Sequence, residues 1–158
     1  MFTDHIADLS SGPLHYQRGG SGPAILHLHP AAGPRLTPVI ERLAQRHTVF
    51  IPAAPGFNGT PNHASVASMR GLAGLMAEFA RKVVGGKCDV VAESFGGWVA
   101  LWLAADHPGL VEHLVVEGPA GLRDKGTGGV PADPEARMRA LYAHPERAPK
   151  VARASPWD

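Results

Sequence analysis

The chain has 158 residues and a mass of 16.6 kDa, the size of one domain with enough material for a buried core. Hydrophobic residues make up 44% of the chain and charged residues only 18%, a balance that excludes global disorder. The 15 Lys and Arg residues nearly balance the 14 Asp and Glu residues, giving a net charge of +1. No dense basic tract is present, so nucleic-acid and membrane-surface roles have no electrostatic support.

Cysteine content and hydropathy indicate the compartment. Cys88 is the only cysteine, so it cannot form an internal disulfide, and we expect it to be a small buried residue. The longest uncharged apolar stretch, residues 95–105, is far shorter than the ~18 to 20 residues that cross a bilayer. Asp4 occupies a position where a secretory signal carries Lys or Arg. We therefore expect a cytoplasmic protein.

The first third of the chain alternates short β-rich runs with a helical pattern. Thr37 and Pro38 are typical of a helix N-cap and a first helical residue, so we predict a helix over residues 37–45. Strands are predicted at residues 14–17, 24–29 and 48–52.

The middle of the chain contains the clearest helical pattern. Ser68 is a plausible cap and Gly85 a stop for an amphipathic helix, whose apolar residues recur at three- and four-residue spacing: Met69, Leu72, Met76, Phe79 and Val83. The next predicted elements are a strand at 88–93, a helix at 96–105 and a strand at 111–117. Residues 118–158 contain six prolines and no β-rich run, and we predict only a short helix there, at 134–142.

The alternation of strands and helices is typical of the α/β class. Parallel strands need crossover helices, and those helices cover the sheet. We therefore predict a mostly parallel sheet with helices on both faces.

The residues that carry chemistry lie between the strand at 88–93 and the helix at 96–105, in the string VAESFGGWVA. A serine at the apex of a strand-to-helix turn, with small residues two positions away on each side, is the nucleophile-elbow arrangement. Ser94 is the apex, and Ala92 and Gly96 are the small residues that let strand and helix approach closely. The N–H of Phe95 and the positive end of the helix would face an oxyanion.

Several ordered segments make the sequence resemble the α/β-hydrolase superfamily. HLHPAAG at 27–33 resembles the family's His-Gly-type loop, and APGFNGTP at 54–61 resembles its Pro-Gly-x-Gly-x-Ser loop. Residues 94–121 resemble the elbow helix, the His-Pro turn and the following strand, so the resemblance spans about residues 12–123.

The resemblance implies attack by Ser94 on an ester, amide, thioester or activated carbonyl through an acyl-enzyme, without a cofactor. It also implies that the backbone N–H groups of Phe95 and Ala31 bind the oxyanion, and that His29 orients the oxyanion loop. Two residues depart from the pattern: Ala92 replaces the first elbow glycine, and Pro30 replaces the glycine after His29. Pro30 has no N–H to donate.

The acid and the histidine of a catalytic triad follow the serine in this family. Glu117 matches an alternative acid position of some relatives, although the usual residue there is apolar. His144 is interpreted as a solvated residue, and His107 and His113 lie far from the turn. The resemblance therefore implies an N-terminal part of the hydrolase core at 1–122, the start of a cap or lid at 123–158, and a truncated chain without its acid and base.

Other patterns have simpler interpretations. His27 and His29 lie on one face of a strand, but no third ligand accompanies them, so we expect no metal site. The glycine-rich strings GGSGP, GGKC and GTGG fit neither a phosphate-binding loop nor a dinucleotide fingerprint, and we interpret them as turns.

Two functions remain open. The chain is either a serine hydrolase acting on a small molecule or a non-catalytic binding or assembly module derived from one. In either case we expect the strand at 111–117 to be an apolar sheet edge through which the chain self-associates.

Overall fold

The computed structural model describes residues 1–122 and 129–147. The chain divides into two compact units, Met1–Leu122 and Arg123–Asp158. The first unit contains a six-stranded sheet with the strand order β1-β2-β4-β3-β5-β6. Its strands are β1 (Phe2–Leu9), β2 (Gly12–Gly20), β3 (Ala24–Leu28), β4 (Thr48–Pro52), β5 (Cys88–Glu93) and β6 (Val111–Glu117).

The sheet is mixed but mostly parallel, as predicted. β3 pairs in parallel with β4 and β5, and β5 pairs in parallel with β6. β1 and β2 form an antiparallel hairpin, and β2 is antiparallel to β4. The sequence analysis missed β1 and predicted β2 too short. Of the eight residues of β1 only Ala7 and Leu9 are buried, so this edge strand lacks the apolar pattern of a core strand.

The helices begin and end close to the predicted positions. The Thr37 side chain accepts a hydrogen bond from the Ile40 N–H, and Gly85 ends the second helix with φ 106°. No helix within residues 1–122 and 129–147 is long and apolar enough to cross a membrane. The helices are α1 (Pro38–Leu43), α2 (Met69–Phe79, continued by a π-helical turn over Ala80–Val84), α3 (Phe95–Asp106) and, in the second unit, α4 (Pro134–Leu141); short 3₁₀ turns lie at Pro108–Leu110 and Pro145–Arg147.

Helices pack on both faces of the sheet, which confirms the predicted architecture. Side chains alternate along each strand, so neighbouring residues face opposite ways. One face joins α2 and α3 in the larger core cluster, which includes Leu26, Phe50 and Val90. On the other face, Ile40 of α1 packs in a smaller cluster with Ile25, Val49 and Ile51.

Cys88 lies in β5 within the larger core and is only 4% exposed, which confirms the expected burial. Burial raises the pKa of its thiol to about 11, against an ordinary value of 9.0.

At pH 8 the native Cys88 thiol should therefore react with iodoacetamide about 100-fold more slowly than the thiol of the urea-unfolded chain. Mass spectrometry over time measures both rates. Equal rates would contradict the buried position.

Candidate active site

Ser94 lies at the turn between β5 and α3 in a backbone conformation that non-glycine residues rarely adopt. Its φ is 52° and its ψ is −111°. Among the described residues, Asn58 is the other non-glycine residue with positive φ. Such a conformation costs about 1 to 3 kcal/mol and persists only where the surroundings hold it.

Backbone hydrogen bonds hold Ser94 in this conformation. Its N–H donates to the Glu117 carbonyl oxygen at 2.9 Å, at the end of β6. Its own carbonyl oxygen accepts from the N–H groups of Trp98, at 3.1 Å, and Ala120, at 2.9 Å. The turn is therefore stabilised from α3, from β6 and from the segment after β6.

Small residues around Ser94 allow the backbone segments to approach. A Cβ atom on Gly96 would lie 2.2 Å from the carbonyl oxygen of Leu28, at the end of β3. A Cβ on Gly97 would lie 2.9 Å from the Cβ of Pro119. Ala92 is 2% exposed, so its substitution for the first elbow glycine is accommodated within the core.

Two backbone N–H groups, one at the start of α3 and one in the turn after β3, are available as donors. Phe95 is the first residue of α3, where an N–H has no intrahelical acceptor and the helix dipole is positive. Ala31 is exposed in the turn after β3, which is closed by a 2.9 Å hydrogen bond from the Gly33 N–H to the Pro30 carbonyl oxygen. Within the described residues, neither N–H has a hydrogen-bond acceptor.

His29 connects the loops that follow β3 and β4. It is 3% exposed, its Nε2 accepts from the Ala54 N–H at 3.0 Å, and its Nδ1 lies 2.7 Å from the Pro30 carbonyl oxygen. Because Nε2 must accept, the proton belongs on Nδ1, which donates to Pro30. Burial lowers the pKa of His29, in agreement with a neutral ring. Both ring nitrogens are therefore engaged, and His29 has no free nitrogen to act as a base for Ser94.

Aromatic rings surround His29. The Phe57 ring meets it edge-on with centroids 4.8 Å apart, and the Phe95 ring lies 6.1 Å from each of the other two. Next to them is a small apolar pocket, whose lining includes Leu28, Ala54, Leu72, Met76 and Val99. The sequence analysis did not assign Phe57 a role, although it lies in the APGFNGTP loop that carried part of the resemblance.

The other candidate residues do not bind the Ser94 hydroxyl. Glu117 contributes its backbone oxygen to the turn, and its side chain is exposed at the end of β6. His107 caps the end of α3, His113 bonds Asp89 at 2.8 Å, and His144 lies in the second unit, 3.2 Å from Glu146. Across residues 1–122 and 129–147, no histidine forms a hydrogen bond with Ser94 Oγ.

His27 is buried in β3 and its Nδ1 has no hydrogen-bond partner. Burial, together with repulsion from His29, lowers its pKa to about 4. In the part of the chain that the structure describes, no group of three or more His, Cys, Asp or Glu residues is arranged to hold a metal ion.

Comparison with known proteins shows the family of the chain. The family model described as the Alpha/beta hydrolase family matches residues 20–158. The chain belongs to the alpha/beta hydrolase family. The resemblance inferred from the motifs is thereby confirmed.

Relatives in the alpha/beta hydrolase family carry hydrolase names. The chain is 26% identical over 152 residues to 2-hydroxy-6-oxo-6-phenylhexa-2,4-dienoate hydrolase of Comamonas testosteroni, covering 87% of this chain and 51% of that protein. It is 29% identical over 116 residues to the soluble epoxide hydrolase of Corynebacterium sp. (strain C12), covering 72% of this chain and 41% of that protein. The chain thus spans about half the length of these relatives or less.

A solved structure supports the fold. The crystal structure of E-2-(acetamidomethylene)succinate hydrolase superposes with a TM-score of 0.67 at 23% identity. The superposition covers 72% of this chain and 43% of the other. At this identity the likeness concerns the arrangement of strands and helices alone.

Proposed function

We propose that the chain carries the nucleophile and the oxyanion site of a serine hydrolase that acts on an ester or a related acyl or carbonyl compound. The observation that supports this most is the backbone of Ser94, with φ 52° and ψ −111°, between a parallel strand and the start of a helix. A strained serine at this place in the fold presents its hydroxyl above the sheet edge.

In the proposed reaction, Ser94 Oγ attacks the carbonyl carbon and the carbonyl oxygen becomes an oxyanion. The N–H groups of Phe95 and Ala31 stabilise that oxyanion by hydrogen bonds. Collapse of the tetrahedral intermediate expels the leaving group and forms an acyl-enzyme, which water then hydrolyses. His29 acts as a positioning residue, because its bond to Ala54 and its bond to Pro30 hold the turn that carries Ala31.

The hydroxyl proton of Ser94 needs an acceptor, and no described residue is placed to take it. We assign the base and its acid partner to groups outside the described residues. Glu117 remains a second candidate for the acid, because its strand end is hydrogen-bonded to the Ser94 backbone.

The identity of the nucleophile favours a carbonyl substrate over an epoxide. Attack of a serine hydroxyl on an epoxide would leave an ether, which water does not readily hydrolyse. Attack on a carbonyl carbon followed by departure of the leaving group on that carbon leaves an ester, which water can hydrolyse. The name of the Comamonas relative describes a substrate with a 6-oxo group, which is a carbonyl. The apolar surroundings of His29, which include the rings of Phe57 and Phe95, favour an apolar acyl group over a charged one.

Labelling by a fluorophosphonate tests the proposal. The purified chain should be labelled at Ser94, because general bases contribute only part of the reactivity and the oxyanion donors remain. Ser94→Ala removes the attacking hydroxyl and should therefore reduce labelling at least about tenfold. Added imidazole should accelerate labelling, because it supplies the proton acceptor that the described residues do not place. Peptide mass spectrometry locates the label.

Ser65→Ala is the matched control, because Ser65 is an exposed serine in the loop before α2. Its labelling should equal that of the unchanged chain. A folded chain that takes no label at Ser94, even with imidazole, would contradict the hydrolase proposal and favour the non-catalytic binding or assembly module.

A further inference from the structure

The segment that follows β6, residues 118–121, packs closely on the first turn of α3, and we call it the exit segment. Its Pro119 meets Gly97, where an added Cβ would lie 2.9 Å from the Pro119 Cβ and 3.0 Å from the Pro119 Cα. A Cβ added on Gly121 would lie 2.6 Å from two atoms of the Trp98 indole. Glycine at both positions therefore lets the exit segment and α3 approach more closely than side chains would allow.

The exit segment donates a hydrogen bond to the serine turn. The Ala120 N–H donates to the Ser94 carbonyl oxygen at 2.9 Å, and the same oxygen accepts from the Trp98 N–H at 3.1 Å. A carbonyl oxygen has two lone pairs, so both are used. Because the two donors belong to different segments of the chain, together they fix the direction of the carbonyl more tightly than the helical bond from Trp98 would alone.

The Ser94 carbonyl and the Phe95 N–H belong to the same peptide unit. That unit is planar and trans, so its N–H points opposite to its C=O and cannot turn unless the carbonyl turns with it. A hydrogen bond accepted by the carbonyl oxygen also polarises the unit and makes its N–H a stronger donor. Both the direction and the donor strength of the Phe95 N–H therefore depend on the bond from Ala120.

We propose that the Ala120 N–H is a positioning group for the oxyanion site: by binding the Ser94 carbonyl oxygen, it aims the Phe95 N–H at the oxyanion. This role rests on the proposed function, in which the Phe95 N–H binds the oxyanion directly. Ala120 acts only through the shared peptide unit and does not touch the reacting atoms. A merely structural bond would stabilise the fold without altering the Phe95 N–H.

Exchange of one backbone amide for an ester tests the proposal. L-Lactic acid, the α-hydroxy analogue of alanine, incorporated at position 120 replaces the N–H by an oxygen and leaves the side chain unchanged. Labelling of Ser94 by the fluorophosphonate should then slow about tenfold, because one oxyanion donor contributes about 100-fold or more and a misaimed donor keeps part of that. The loss should be equal with and without imidazole, since imidazole replaces the base and not the oxyanion donor.

The matched control is an ester at Val66, in the loop before α2. The Val66 N–H donates to the His63 carbonyl oxygen at 2.9 Å, so this ester removes a backbone hydrogen bond of the same length that does not involve the Ser94 peptide. It should be labelled at the rate of the unchanged chain. Urea denaturation establishes that both esters are folded.

Gly97→Ala tests the same link by displacing the exit segment. Beyond its own helix backbone and chain neighbours, the three atoms nearest to the new methyl all belong to Pro119. Labelling of Ser94 should therefore slow several-fold. The control is Gly74→Ala, a glycine-to-alanine change inside α2 where the new Cβ meets no atom within 4 Å, and its labelling rate should be unaltered.

Nuclear magnetic resonance separates this role of Ala120 from the proposed function. In the ¹⁵N-labelled chain, the amide signal of Phe95 should shift in the ester at position 120 and in Gly97→Ala, and it should not shift in the two controls. The signal reports the hydrogen bonds on the preceding carbonyl whether or not Ser94 reacts. A Phe95 signal that does not move in the ester at position 120, or labelling of that ester as fast as that of the unchanged chain, would overturn the proposal.

An unchanged chain that takes no label at Ser94 would instead contradict the proposed function. The Phe95 signal would then still decide whether the Ala120 N–H orients the Phe95 N–H: a shift supports the link and an unmoved signal refutes it.

Discussion

Gly96→Ala is expected to lower the free energy of unfolding by about 2 kcal/mol or more, although alanine is the better helix former. The added methyl would lie 2.2 Å from the carbonyl oxygen of Leu28 and 2.7 Å from that of His29. Both are backbone atoms that cannot rotate away, so α3 must move from the end of β3. That movement displaces the Phe95 N–H and the serine turn with it, so labelling of Ser94 should fall as well.

Gly74→Ala is the matched control for this prediction. Gly74 lies inside α2, and a Cβ there would meet no atom within 4 Å. Alanine should therefore stabilise the helix by about 0.5 to 1 kcal/mol through its better propensity. Urea denaturation measures both variants, and a Gly96→Ala chain as stable as Gly74→Ala would contradict the close approach of α3 and β3.

Acid pH should lower the free energy of unfolding, because folding opposes the protonation of His27. Its pKa is lowered to about 4 in the folded chain by burial, against 6.5 for an ordinary histidine. Between these two values the unfolded chain binds the proton more readily than the folded chain does. Above about pH 6.5 the free energy of unfolding has its full value, because His27 is neutral in both states. It decreases as the pH falls towards 4, by about 2 kcal/mol between pH 7 and pH 4.5.

His27→Leu should remove this contribution. The variant replaces a buried Nδ1 that has no partner with an apolar side chain of similar size, so it should be no less stable at pH 7 and more stable than the unchanged chain at pH 4.5. If the free energy of unfolding of His27→Leu and that of the unchanged chain decreased equally between pH 7 and pH 4.5, the prediction would be wrong.

The spacing of residues in the sequence was enough to predict the serine turn. A strand, a serine between two small residues and an apolar helix form a local pattern, and the structure places Ser94 at the turn between β5 and α3. The helix N-cap at Thr37 and the helix end at Gly85 could also be predicted from the sequence, because each depends on residues next to it in the chain.

Contacts between distant residues could not be predicted in this way. The tautomer of His29 depends on the N–H of Ala54, 25 residues away, and the position of Phe57 against that ring depends on how two loops meet. β1 was not predicted because an edge strand buries few side chains and therefore lacks a clear apolar pattern. Its antiparallel pairing with β2 is a tertiary contact that the sequence pattern does not indicate.

The hydrogen bonds of Ser94 also have a consequence for the order of folding. The donor bond to Glu117 and the acceptor bond to Ala120 join residues more than 20 positions apart, so the loop between them must close before either can form. In a nascent chain that ends before residue 117, the strained conformation of Ser94 lacks two of the three backbone hydrogen bonds that hold it. A reagent that modifies Ser94 therefore reports on the docking of β6, and during synthesis its reactivity should arise only after that strand has left the ribosome.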